Sequence, residues 1–294
     1  MNKNQTFICN GDSWVFGSEI IDPIQQKTLA KGKHVTTIDY LPDNDAYRYP
    51  RIFSSYLAEI ADATSINISW PADDNTTILY RTMDYVTNNY LSQGKSTENL
   101  MIIIGWSSPE RNSFWYDDGQ ISMLFRLWPN VQHFETDLQK KFWDIYTRCI
   151  WNPQEYIRRY VHTILNFQNW CNANKLKWLC FNSFQQVPDL DVNKWTDLNV
   201  RSEIESLTNK FGGYHLQSSD NNNIRENNQY NLISLWDSVD PIRFYKKDQE
   251  NNTFKSFITE HNKTNTFNGW HPSPESHKIW AHELWSYIKE NKLD

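Results

Sequence analysis

Cysteine is scarce in this chain, and the few present fall into no pairing motif. Cys9, Cys149, Cys171 and Cys180 form no CxxC motif and no Cys/His spacing suited to zinc. A disulfide framework is not expected from four thiols in 294 residues. Cys9 and Cys180 fall inside apolar runs, where a buried, inert thiol is the expected state. Long apolar stretches are missing as well. None approaches the roughly 20 residues a membrane helix needs, and the opening MNKNQTFICNGDSW has only a short apolar run that ends in a turn, unlike a signal peptide. Positive charge is not in excess: 29 Lys and Arg stand against 35 Asp and Glu, a net charge of −6. The basic pairs Lys140-Lys141, Arg158-Arg159 and Lys246-Lys247 read as solvated helix faces or loop ends. No basic stripe offers a track for nucleic acid. No Gly/Pro/Ser linker and no internal repeat divides the chain. The expectation is one soluble domain over residues 1–294, in the cytoplasm or, for a viral source, in the virion. Neither nucleic acid nor membrane is expected as a partner, and the oligomeric state is left open.

What is abundant is aromatic. The chain carries 14 Trp, 15 Tyr and 15 Phe, so rings supply much of the core and some of the surface. Short apolar runs at Thr6–Asn10, Ser65–Ser69, Leu100–Ile104, Leu176–Phe181 and Leu232–Trp236 read as strands. Leu100–Ile104 is the clearest, and its unbroken apolar run suits a strand covered on both faces. Helical spacing of apolar residues marks Pro50–Ala63, Asn75–Gln93, Tyr156–Trp170, a stretch near Arg201–Phe211, and Ser276–Tyr287. Residues 18–46 and the Asn-rich tracts Asp220–Asn231 and Asn251–Asn268 read as loops. Alternating strands and helices predict an α/β three-layer sandwich with a mainly parallel sheet of about five strands. An aromatic-rich insertion carrying at least one helix is expected at about 110–151.

Ligands of parallel α/β sheets bind at the carboxyl ends of the strands, and three suggestive segments fall there or in the last loop. Gly11-Asp12-Ser13-Trp14 follows the first strand and would raise a serine hydroxyl above the sheet edge. Gly-Asp-Ser is also a common turn sequence. Gly105-Trp106-Ser107-Ser108-Pro109-Glu110-Arg111 follows the strongest strand and holds polar groups that could meet an oxyanion; an ordinary strand exit is the alternative. Asn268-Gly269-Trp270-His271-Pro272 precedes the final helix and offers a histidine fixed by a proline. His277 and His282, five apart on a helix, lie roughly 140° apart around its axis. That spacing does not make a zinc pair, and no metal or cofactor is expected.

Together these segments resemble the SGNH, or GDSL-like, hydrolase family, from Gly11 to His277 in the family's order. The resemblance implies a flavodoxin-like SGNH fold, Ser13 as nucleophile and His271 as base. It implies an oxyanion hole from the Ser13 backbone, Ala72 and Ser107. Three positions depart from the family pattern. Asn268 stands where the family has an aspartate, Ala72 where it has a glycine, and Ser107 where it has an asparagine. In a serine protease an Asp-to-Asn change at the orienting position costs about 10⁴ in turnover by favouring the wrong tautomer; the Asn268 carbonyl could still accept from the ring, or Ser13 and His271 could act as a dyad. Trp14, Trp106 and Trp270 adjoin the three blocks and are candidate substrate platforms, with Arg111 a candidate polar contact. Core packing for Trp14 and a salt pair for Arg111 are the alternatives. The function implied is hydrolysis of a small acyl ester, such as an O-acetylated carbohydrate, through an acyl-enzyme on Ser13. A binding or structural protein that keeps the fold without the chemistry, and an O-acyltransferase, are the rivals.

Overall fold

The computed structural model describes residues 5–28, 41–109, 111–117, 122–127, 137–146, 153–183, 234–249, 252–262 and 266–294. Its centre is a four-stranded parallel sheet. The strands are β1 (Thr6–Gly11), β2 (Thr64–Asn67), β3 (Leu100–Trp106) and β6 (Lys177–Asn182), in the order β2-β1-β3-β6. Thr6 lies opposite Thr64 on one side and Leu100 on the other, and the register runs out at Gly11 opposite Gly105 and Trp106 opposite Asn182. All seven residues of β3 are buried, as its continuous apolar sequence requires of a strand covered on both faces.

Because side chains alternate across a strand, each face has its own core. Ile8, Ile102, Ile104, Trp178 and Cys180 pack with Ile78 and Leu79 of α5 (Asn75–Val86) and with Tyr160, Ile164 and Phe167 of α7 (Pro153–Ala173). Phe7, Cys9, Ile103, Leu179 and Phe181 face the other way. There they meet Phe53 and Leu57 of α4 (Phe53–Ala61), Phe254 of α8 (Phe254–His261), and Trp280 and Leu284 of α9 (Pro274–Glu290). Full burial of each such side chain is worth about 1.5–3 kcal/mol. Two helical layers enclosing a sheet make the three-layer α/β sandwich that the alternation of elements predicts.

The structure differs from the sequence reading in the tract Asn251–Asn268, where α8 (Phe254–His261) stands in place of the expected loop, and in three places before it. The apolar run Leu232–Trp236 is no fifth strand where it is described: residues 234–237 form a helical turn, with the Ser238 N–H and hydroxyl both donating to the Ser234 carbonyl. A short apolar run of this length satisfies either period, and here Trp236 and Val239 bury as helical neighbours. The sheet edge beyond β6 is met instead by isolated parallel bridges from Phe244 to Cys180 and from Thr253 to Asn182. Second, residues 18–46 include α2 (Pro23–Thr28) and the start of α3 (Pro42–Arg48). Third, the 110–151 stretch carries an antiparallel pair, β4 (Asn112–Asp117) with β5 (Ser122–Leu127), besides α6 (Asp137–Ile145). The expected helix near 201–211 and the tract at 220–231 lie outside the described residues.

Candidate active site

Gly11 and Gly105 face each other across the β1–β3 pair, and their missing side chains leave a socket. A Cβ on Gly11 would come within 2.3 Å of a Val15 methyl and 2.7 Å of the Gly105 carbonyl oxygen; one on Gly105 would come within 2.5 Å of the same methyl. Val15 fills that socket, so the chain can leave β1 and turn at once into the short helix α1 (Ser13–Phe16). The Asp12 side chain caps it, accepting from the Trp14 N–H at 3.0 Å. Ser13 thus stands at the first position of α1, above the carboxyl edge of the sheet, where the backbone N–H has no partner within the helix.

Asp12 is fully buried and gathers the loop after β3. Its Oδ2 accepts from the Ser107 hydroxyl at 2.9 Å and faces the Arg111 guanidinium at 3.3 Å. Burial raises its carboxyl above the usual range, opposed by Arg111, the Trp14 N–H, Ser107 and the nearby His271. The Ser107 hydroxyl has one hydrogen, and it is directed to Asp12 rather than toward the oxyanion position that the sequence reading gives it. The Ser107 N–H donates to Asn75 Oδ1 at 2.8 Å, and the Asn75 amide donates back to the Ser107 and Ser108 carbonyls. Asn75, which sequence reasoning passed over, therefore fastens the start of α5 to this loop. Arg111 pairs with the buried Asp12, a salt pair rather than a free polar contact for substrate. Ala72 sits in the left-handed region at φ +63, the conformation for which a glycine at that position would be suited.

The three tryptophans part company. Trp14 is buried, edge-on to Phe254 at 5.7 Å and Phe267 at 5.9 Å. Trp106 shares a strand face with Ile102 and Ile104 and is buried against Phe167. Neither ring is open to a ligand, because each follows the inward phase of its element. Trp270 is 85% exposed. Trp70, missed by the sequence reading, is also exposed and packs edge-on to Phe16 of α1.

His271 lies on β8 (His271–Pro272), which pairs with β7 (Phe267–Asn268) in a two-residue hairpin, Asn268 opposite His271. The hairpin brings its imidazole to α1, with the ring centroid 6.5 Å from that of Trp14. The side chain of Asn268 is outside the described residues. A carboxylate nonetheless meets the imidazole: Glu19 Oε2 is 3.1 Å from His271 Nδ1. The pair is at ion-pair distance without the line-up of a hydrogen bond. The same oxygen accepts from the Trp270 N–H at 2.7 Å and the His271 N–H at 3.2 Å. Glu19 itself holds φ +67, a left-handed conformation that costs a non-glycine residue about 1–2 kcal/mol. No local pattern in the sequence announces this contact.

His277 is a different case. It is fully buried, stacked on Phe53 at 6.2 Å, and its Nδ1 accepts from the Phe53 N–H at 3.2 Å, capping the start of α4. Burial drives its pKa down to about 3, with a smaller push from His271.

The molecule is an α/β sandwich in which Ser13 begins a helix at the carboxyl end of β1 and Glu19 meets His271 beside that helix. The chain belongs to a family of unknown function, DUF6071, whose model matches residues 35–207, a span that takes in Ala72 and Ser107 and leaves Ser13, Glu19 and His271 outside it. Among solved structures, it is similar to a protein described as lipolytic and of the G-D-S-L family from Desulfitobacterium hafniense DCB-2, at 10% identity and a TM-score of 0.41, over 97% of this chain and 99% of that one. It is also similar to a carbohydrate esterase family 2 enzyme with a carbohydrate binding domain from Corynascus thermopiles, at 9% identity and a TM-score of 0.43, over 98% of this chain and 66% of that one. At these values the likeness says nothing of chemistry. No curated protein matches the sequence. Among the described residues, no helix is long and apolar enough to cross a membrane.

Proposed function

We propose that this protein is a serine esterase acting on a small acyl ester, such as an O-acetylated carbohydrate. The observation that carries the reading is the strand-turn-helix from Gly11 to Phe16, which raises Ser13 over the sheet edge beside the hairpin of His271. The Ser13 hydroxyl attacks the ester carbonyl while His271 Nε2 takes its proton and returns it to the leaving alcohol. Water then resolves the acyl-enzyme by the same route in reverse. The oxyanion is met by the backbone N–H of Ser13 and that of Ala72; Ser107, through Asp12, sets the turn that carries Ser13. Trp270 offers a flat apolar face with one N–H donor, suited to a sugar ring. No metal or cofactor takes part in this scheme, and the whole chain acts as one catalytic domain in the cytoplasm or a virion.

The test compares hydrolysis of a short-chain chromogenic acetate ester by the wild type and Ser13→Ala. The expected result is turnover that falls to background in the variant, with a serine-directed phosphonate labelling Ser13 in the wild type only. Equal background rates and no labelling would return the reading to a binding protein on the same fold. Turnover that rises on adding a sugar acceptor would make it an O-acyltransferase.

A further inference from the structure

We infer that Glu19 is a residue that positions the His271 imidazole; the inference deepens the esterase reading and rests on it for its catalytic meaning. Two donors converge on one oxygen of Glu19, the Trp270 N–H and the His271 N–H, and His271 Nδ1 lies at ion-pair distance, 3.1 Å, from the same oxygen. The two backbone bonds fix the carboxylate against the hairpin, so its place does not depend on the imidazole it meets. The hairpin is shaped to admit it. Gly269 takes φ +71, and a Cβ there would lie 2.4 Å from Glu19 Oε2. Glu19 is itself held in the left-handed backbone region, and strain of that kind gathers where geometry serves function. An Nδ1–H facing this oxygen leaves Nε2 as the acceptor a base needs, and the negative charge stabilises the imidazolium formed when Ser13 gives up its proton. The carboxylate that the hairpin lacks at Asn268 thus arrives from the segment just after the nucleophile helix.

Two substitutions separate charge from orientation. In Glu19→Gln the two backbone N–H groups hold the amide oxygen toward Nδ1, so the tautomer persists while the charge is lost; kcat should fall roughly 10- to 100-fold. In Glu19→Ala both are lost, and kcat should fall on the order of 10³- to 10⁴-fold with KM changed less than about threefold. Ring nitrogen shifts of His271, read by NMR, report the tautomer without any turnover. The wild type and Glu19→Gln should show Nδ1–H, and Glu19→Ala a mixture or the Nε2–H form. Gly269→Ala leaves Glu19 intact but occupies its place, and should reproduce the tautomer change with little further effect when combined with Glu19→Ala. An unchanged tautomer in Glu19→Ala overturns the inference, as does Ser13-dependent turnover that Glu19→Ala leaves at the wild-type rate. If the wild type hydrolyses no ester, the esterase reading fails alone, and the tautomer still decides whether Glu19 sets the ring.

Discussion

The hairpin that holds His271 and the first turn of the helix that holds His277 are consecutive in the chain and treat the same side chain in opposite ways. His271 stands partly open beside Glu19 and α1. His277 lies in the core between Phe53 and Phe254, its Nδ1 spent on a backbone N–H and its pKa pushed down to about 3. One environment supplies a carboxylate and an exit for a proton; the other supplies apolar rings and no route to water. Residue type alone therefore assigns no role. What decides is whether the element's phase turns the ring toward the sheet edge or into the sandwich.

Breaking each histidine should break a different property. His271→Ala should lower ester turnover by about 10⁴- to 10⁶-fold, the scale on which a triad base acts, while the urea midpoint hardly moves. His277→Ala should do the reverse. It leaves the Phe53 N–H buried without its acceptor and opens a cavity among rings, for about 2–4 kcal/mol of lost stability, with kcat retained in the folded fraction.

A pH series sharpens the contrast. The folded pKa of His277 lies below the ordinary unfolded value of 6.5, so the unfolded chain binds the proton first. The stability this residue supplies is complete above about pH 6.5 and is lost as pH falls toward 3. At pH 4.5, roughly 2–3 kcal/mol should have gone relative to neutral pH. Unfolding curves of His277→Phe should lack that part of the slope; an unchanged slope would mean that the imidazole is protonated in the folded state. The smallest effect is expected on the hairpin itself. Trp270→Ala removes an exposed ring, so stability should stay within about 0.5 kcal/mol, whereas KM for an aryl or sugar ester should rise roughly threefold to tenfold.

The sheet was legible where the chain repeats one kind of residue. The run from Leu100 to Ile104 reads as a buried strand because nothing in it suits water, and the final helix announces itself by the spacing of Trp280, Leu284 and Ile288, although it begins at Pro274, ahead of the Ser276 at which the sequence reading starts it. The run ending at Trp236 was not legible, since a few apolar residues fit a strand or a helical turn equally well. Ser13 and His271 were legible as motif positions because each sits in a distinctive local setting. Glu19 was not. Its partner is 252 residues away, and a lone glutamate before two isoleucines carries no local mark of that contact. Trp14 and Trp106 misled for a related reason: adjacency in sequence to a motif says nothing about the direction of a ring once helix or strand phase is imposed.

The Val15 side chain lodged between Gly11 and Gly105 has a consequence for how this molecule could vary. The serine is bolted to the two central strands rather than carried on a surface loop, so its aim is inherited from the most rigid part of the sandwich. Segments around the rim can lengthen, shorten or change composition and so alter what is admitted, while the point of attack keeps its coordinates.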